Sequence, residues 1–79
     1  MDIAPHINPQ QTGECIRSLM LSHNLSVKEL QEILSLSCPQ TIYHWLNGTS
    51  LPTVDHLYSL SRYFHVSIDS LLVGEAENT

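Results

Sequence analysis

The histidines and cysteines are the side chains best suited to binding a metal ion. A tetrahedral zinc site takes its ligands from closely spaced pairs, for example two histidines four residues apart on one helix. The two cysteines, Cys15 and Cys38, lie far apart in the sequence, and no two histidines have that spacing. The sequence therefore predicts no metal site and no cofactor, although it contains five histidines: His6, His23, His44, His56 and His65.

Nucleophilic catalysis is the second chemistry to consider, with Cys38 as the candidate nucleophile. A catalytic thiol needs a base within hydrogen-bond reach, and the sequence places neither a histidine nor a carboxylate beside Cys38. The carboxylates of Glu14, Glu29 and Glu32 fit exposed helix faces rather than an acid–base pair. The sequence thus predicts that the chain is not an enzyme. Both cysteines are expected to be free thiols, as in a reducing cytoplasm.

The length and charge of the chain narrow the classes of protein to which it can belong. Its 79 residues, 42% of them hydrophobic, suffice for one domain with one core. No apolar run approaches the roughly 18 residues of a membrane span, and no signal peptide is visible, so we expect a cytoplasmic protein without membrane contact. Three basic residues oppose eight acidic ones, for a net charge of -5. That balance is unusual for a nucleic-acid binder, which normally carries a basic face.

Capping signals and apolar periodicity divide the chain into helices. Asn8-Pro9 begins the first helix, which is expected to end near His23-Asn24. Ser26 with Glu29 forms a capping box for a second helix over about 27–35, with Leu30, Ile33 and Leu34 on its inner face. No segment alternates with a period of two, so strands are not expected. The remaining start signals are Ser37 with Gln40 for a third helix ending at Asn47-Gly48, Leu51-Pro52-Thr53 for a fourth, and Ser67-Ile68-Asp69 for a fifth.

These elements predict an all-α domain of five short helices. The second and third helices are separated by only three or four residues, which predicts a tight turn and hence a helix-turn-helix. We expect a flexible N-terminal arm over residues 1–8, the helical domain over 9–73 and a frayed acidic tail over 74–79. Trp45 follows Ile42 by three residues on the inner face of the third helix and is expected to be a core residue.

The order and spacing of several motifs identify a family. The chain resembles the Cro and lambda-repressor helix-turn-helix family, often called XRE-like regulators, over residues 12 to 73. The residues that carry this resemblance are Gly13-Glu14-x-Ile16-Arg17, Leu25-Ser26-x-x-Glu29-Leu30, Pro39-Gln40-Thr41-Ile42-Tyr43-His44-Trp45-Leu46-Asn47-Gly48, Leu51-Pro52, Leu57, Leu60-Ser61 and Val66-Ser67-Ile68-Asp69-x-Leu71-Leu72.

The resemblance implies a function and a set of site residues. In this family the third helix enters the major groove of DNA by its N-terminal end, while the second crosses the sugar–phosphate backbone. The implied function is a sequence-specific transcriptional regulator, a homodimeric repressor that binds an operator on double-stranded DNA. The implied base-reading residues are Pro39, Gln40, Thr41, Tyr43 and His44. The implied backbone-binding residues are Ser26 and Lys28 before and within the second helix, and Asn47, Thr49 and Ser50 after the third.

Two departures from the family pattern bear on these implications. The third helix contains no lysine or arginine, and His44 stands where relatives often carry one. Many members also form a buried ion pair between an arginine late in the first helix and a glutamate just before the Asn-Gly pair. The matching residues here are Met20 and Leu46. Replacement of both partners by packed apolar groups is often neutral or stabilising, so we predict that these two side chains are in contact.

Several interpretations remain open from the sequence. The Gln40 side chain could bond back to the Ser37 backbone instead of reading a base, and Tyr43 and His44 could be a solvated helix face. The acidic composition leaves room for a protein-interaction module that keeps the fold without binding DNA, such as an antirepressor or phage-type inhibitor. For a homodimer, the fifth helix and the exposed part of the fourth are the candidate contact surface.

Overall fold

Between residues 6 and 74, five helices follow one another, as the sequence predicts. The computed structural model describes residues 6–74. Within this range there is no strand, only an isolated antiparallel bridge between Ile7 and Gly74. The all-α prediction is confirmed. The helices are α1 (Pro9–Ser22), α2 (Val27–Ile33), α3 (Gln40–Leu46), α4 (Val54–Phe64) and α5 (Ile68–Leu71).

Side-chain caps fix the start of four of the helices. The Asn8 side chain accepts a hydrogen bond from the Gln11 amide at 2.9 Å and begins α1. Thr53 and Ser67 cap α4 and α5 in the same way. Each cap satisfies an amide that has no partner within its helix. Because the bonding partners lie three residues apart, such starts are encoded locally and can be found from sequence.

The start of α3 differs from the prediction. The prediction of a capping box between Ser37 and Gln40 is wrong. Pro39 occupies the capping position, and no side chain caps this helix. Gln40 is the first helical residue, whereas the glutamine of a capping box must be the third. The backbone carbonyl of Pro39 starts the helix instead, accepting from the amides of Ile42 at 3.0 Å and Tyr43 at 3.2 Å.

The end of α2 also differs from the prediction. The helix stops at Ile33, two residues early, and Ser35 takes a left-handed conformation with φ +57°. The amide of Leu36 then bonds back to the carbonyl of Gln31 at 3.0 Å, as in a Schellman-type helix end. Ile33, predicted to face inward, is exposed. The connection to α3 therefore spans residues 34–39, longer than expected.

One core joins the helices, and α1 packs mainly against α3. At this crossing the two backbones approach so closely that a Cβ added to Gly13 would overlap the carbonyl oxygen of Trp45. Met20 and Leu46 are both buried in the core, as their predicted contact requires. The fully or nearly buried apolar residues are Ile16, Met20, Leu30, Ile42, Trp45, Leu46, Leu57, Leu60, Phe64 and Leu71.

The two ends of the described chain are held together. The amide of Asn8 donates to the carbonyl of Val73 at 2.7 Å, beside the Ile7–Gly74 bridge. The amide of Val73 donates to the hydroxyl of Thr12, the one buried polar side chain of residues 6–74, at 3.0 Å. Residues 7, 8 and 74, which the sequence analysis assigned to the arm and the tail, are thus bonded into the folded unit. The rest of both segments, 1–5 and 75–79, lies outside the described residues.

Candidate nucleic-acid interface

Helix α3 has two faces with different roles. Ile42, Trp45 and Leu46 are buried and fix the helix to the core. The residues spaced three and four apart on the other side, Gln40, Tyr43, His44 and Asn47, are all exposed. Residues with this spacing form one stripe along a helix. The stripe covers about 10 Å from Gln40 to Asn47, at a rise of about 1.5 Å per residue.

The N-terminal end of this stripe is open. Gln40 is exposed, and its side chain takes no part in capping α3, so the alternative in which it bonds back to Ser37 is not what the structure contains. Tyr43, one turn later, is 48% exposed. Thr41 and Pro39 are half-buried beside them. All five predicted base-reading residues, including the exposed His44, therefore have surface available to a partner.

A shallow groove separates α2 from the start of α3. Its lining brings Lys28 together with Pro39 and Tyr43, so predicted residues from both helices meet at one surface. Gln31 and Glu32 line the same groove and were missed by the sequence analysis. They follow Lys28 by three and four residues, and that helical spacing was the signal that could have identified them.

Ser26 stands at the N-terminus of α2 with its backbone amide already bonded. That amide donates to the Glu29 carboxylate at 2.8 Å, and the Ser26 hydroxyl oxygen accepts from the Glu29 amide at 3.1 Å. The predicted capping box is therefore present. The hydroxyl hydrogen of Ser26 remains available as a donor, whereas the backbone amide does not.

The loop after α3 presents the remaining predicted residues. The carbonyl of His44 accepts from the amides of Thr49 at 2.9 Å and Ser50 at 3.3 Å, which folds the loop back on the end of the helix. Gly48 makes this turn possible with φ +77°. The side chains of Asn47, Thr49 and Ser50 are exposed. The loop thus continues the surface formed by the α3 stripe.

This surface carries little positive charge. Lys28 is the single lysine or arginine among the predicted site residues, and Glu29 and Glu32 lie on the same short helix. Arg17 is on α1, and Arg62 is on α4, where its guanidinium lies 5.7 Å from the centre of the Tyr58 ring. A ligand of this surface would therefore meet hydroxyl, amide and imidazole groups more than fixed positive charge.

Three further observations on residues 6–74 concern metal binding, the cysteines and membrane-spanning helices. That range holds no cluster of three or more histidine, cysteine, aspartate or glutamate side chains that could bind a metal ion. Cys15 and Cys38 are unbridged, and the Cys15 thiol donates to the carbonyl of Ser70 at 3.2 Å. None of the helices from α1 to α5 has both the length and the apolar character needed to cross a membrane.

Comparison with known proteins relates the chain to a protein family and to a transcriptional regulator. A family model described as helix-turn-helix matches residues 16–71. The HTH-type transcriptional activator BcrR of Enterococcus faecalis is 35% identical over 63 residues, which make up 80% of this chain and 30% of that protein. The chain thus spans under a third of the length of the curated relative that it matches.

Proposed function

The chain belongs to the helix-turn-helix family of the Cro and lambda-repressor type, and from this premise we propose that it is a sequence-specific DNA-binding regulator of transcription. The observation that carries the proposal is the exposed stripe of α3, with Gln40 at its open end. A helix held to the core by Ile42 and Trp45 is rigid, and its outward side chains can enter a major groove without rearrangement.

Base recognition is assigned to the N-terminal half of α3. The Gln40 amide can donate to N7 or accept from N6 of adenine, and its two groups together match that edge. The Thr41 methyl group suits contact with the thymine methyl, and Tyr43 and His44 offer donors further along the groove. Pro39 contributes apolar surface beside them.

Contacts with the DNA backbone are assigned to neutral donors and one cation. The hydroxyls of Ser26, Thr49 and Ser50 and the amide of Asn47 can bond phosphate oxygens, while Lys28 supplies a charge contact. Such contacts fix the position of the protein on the duplex without reading its sequence. With few cations available, most of the affinity must come from hydrogen bonds and shape.

A homodimer that occupies two half-sites is the proposed active form. One α3 stripe reads only a few base pairs, and two copies about 34 Å apart on one face of the duplex multiply the specificity. Repression is the proposed outcome, because occupation of an operator by itself obstructs polymerase. A regulator of this kind works where the chromosome lies, so we place it in the cytoplasm.

Acidic composition favours a second candidate, a protein-interaction module that uses the same fold without DNA. The net charge of -5 works against association with a polyanion. In that case the α3 stripe, which includes Tyr43, would bind a protein, and the chain would act as an antirepressor or a phage-type inhibitor. The two candidates differ in whether purified protein selects particular DNA fragments.

Selection of genomic DNA fragments by the purified protein, at low and moderate salt, tests the proposal. We expect a few fragments to be enriched, and reporter expression from their promoters to fall when the protein is supplied. The slope of log affinity on log salt is expected near -0.9 per subunit for Lys28 alone, and no steeper than about -2.7 for all three cations. An unchanged fragment pool at both salts would leave the protein-interaction module as the function.

Replacement of Gln40 by alanine gives the sharpest residue-level result. We expect Gln40→Ala to weaken operator binding by about 1–3 kcal/mol and to relax the preference at one base pair, while binding to unrelated DNA stays the same. Fluorescence anisotropy on the operator, on single-base variants and on random DNA measures this. Gln11→Ala, the same change at an exposed position of α1, is the matched control. Equal weakening on every sequence would contradict base reading by Gln40.

A further inference from the structure

The outward face of α4 carries apolar surface that is exposed among the described residues 6–74. Val54 is 77% exposed and Tyr58 is 58% exposed, four residues apart on α4, whereas Leu57, Leu60 and Phe64 of the same helix are buried. We propose that this face, together with Asp55 and Arg62, binds a second copy of the chain in an antiparallel α4–α4 pair. This inference rests on the proposed homodimer and assigns its contact surface.

The charges on the face are self-complementary. Asp55 lies in the first turn of α4 and Arg62 in its last turn, seven residues apart and therefore on one side of the helix. In a two-fold symmetric interface, residue i of one copy meets residue j of the other, and j meets i. With the axis near Tyr58, the Asp55 carboxylate of each copy lies opposite the Arg62 guanidinium of its mate.

The aromatic residue of this face fits the same axis. Tyr58 lies close to the midpoint of Asp55 and Arg62, so the two Tyr58 rings lie beside each other at the centre of the pair. The guanidinium of Arg62 lies over its own Tyr58 ring at 5.7 Å, which holds both groups on the outward face before association. Aromatic and arginine side chains of this kind are the residues that most often supply interface energy.

A second copy matches this face better than a partner of uniform charge. Asp55 and Arg62 cancel each other, so the face itself is neutral although the chain carries -5. A strongly basic or acidic partner would be attracted by one end of α4 and repelled by the other. The mirrored arrangement of another α4 satisfies both ends at once.

Charge reversal across the proposed contact tests the inference without DNA. Analytical ultracentrifugation at about 0.15 M salt, where the Debye length is about 8 Å, screens the overall repulsion but leaves contact pairs in place. We expect the unmodified chain to dimerise. Asp55→Arg alone and Arg62→Asp alone should each weaken self-association by about tenfold or more, because each creates two like-charge contacts per dimer.

The mixture of the two variants is the decisive sample. An Asp55→Arg chain offers two arginines and an Arg62→Asp chain offers two aspartates, so their pairing restores both attractions. We expect the 1:1 mixture to form heterodimers as strong as the unmodified dimer. Glu14→Arg and Arg17→Asp, with the same charge changes on exposed positions of α1, should each keep dimerising. Circular dichroism of each variant serves as the check that it is folded.

Three results would overturn the inference: a monomeric unmodified chain at high micromolar concentration, dimerisation of both single variants at full strength, or failure of the mixture to associate. None of them depends on DNA binding, whereas Gln40→Ala tests DNA binding alone. A dimer that ignores the α4 charges would leave the proposed regulator function intact and place the contact surface elsewhere. Loss of DNA-fragment selection in a chain that still pairs through α4 would contradict the proposed regulator function and leave the proposed contact surface intact.

Discussion

We expect Gly13→Ala to lower the free energy of unfolding by about 3 kcal/mol, the upper end of the usual range for overpacking. The added Cβ would overlap the carbonyl oxygen of Trp45 and lie 3.1 Å from that of Leu46. Both atoms belong to the backbone of α3, so relief requires a shift of one helix against the other. Alanine favours a helix by about 1 kcal/mol over glycine, and that gain offsets only part of the loss.

Urea denaturation of Gly13→Ala beside Gly74→Ala measures this effect. A Cβ added to Gly74 would meet its nearest atom, the carbonyl oxygen of His6, at an ordinary 3.9 Å, so this control should unfold at nearly the urea concentration of the unmodified chain. For a domain of this size, a loss of about 3 kcal/mol is a large part of the total stability. A Gly13→Ala chain as stable as the Gly74→Ala chain would mean that α1 and α3 are further apart than described.

Trp45→Ala is expected to cost about 3–5 kcal/mol, the range for removal of a buried tryptophan or phenylalanine. Trp45 is only 2% exposed and packs on α4 through the ring of His56, at 5.4 Å between centres. It is the largest side chain that attaches α3 to the rest of the core. Its removal therefore frees the helix that carries the proposed DNA-binding stripe.

Tyr43→Ala is the matched comparison on the same helix, because it also removes an aromatic ring. Tyr43 is exposed, so its replacement should change stability by no more than about 0.5 kcal/mol while it weakens DNA binding. Thermal melts should place the two variants more than about 10 °C apart, since 1 kcal/mol corresponds to about 4–8 °C in a small domain. Similar melting temperatures would contradict the assignment of a core face and an outer face to α3.

The sequence alone determined the elements whose signals are local. The caps Asn8, Ser26, Thr53 and Ser67 each bond within three residues of themselves, so their effect can be read without knowing the fold. The inner faces follow from helical spacing for the same reason, which is why Ile42 and Trp45 were placed in the core. The resemblance to the family added the expectation of which helices would face DNA.

Only the tertiary structure decided the features that depend on distant residues. The close approach at Gly13 exists because α1 crosses α3, and the bond from Asn8 to Val73 joins the two ends of the described chain. The left-handed Ser35 ended α2 early, with no glycine or asparagine there to signal it. That shorter helix and the later start of α3 left Gln40 uncapped and exposed. Whether a side chain closes a helix end or faces a partner depends on where its neighbours stand in space, and spacing along the chain does not contain that information.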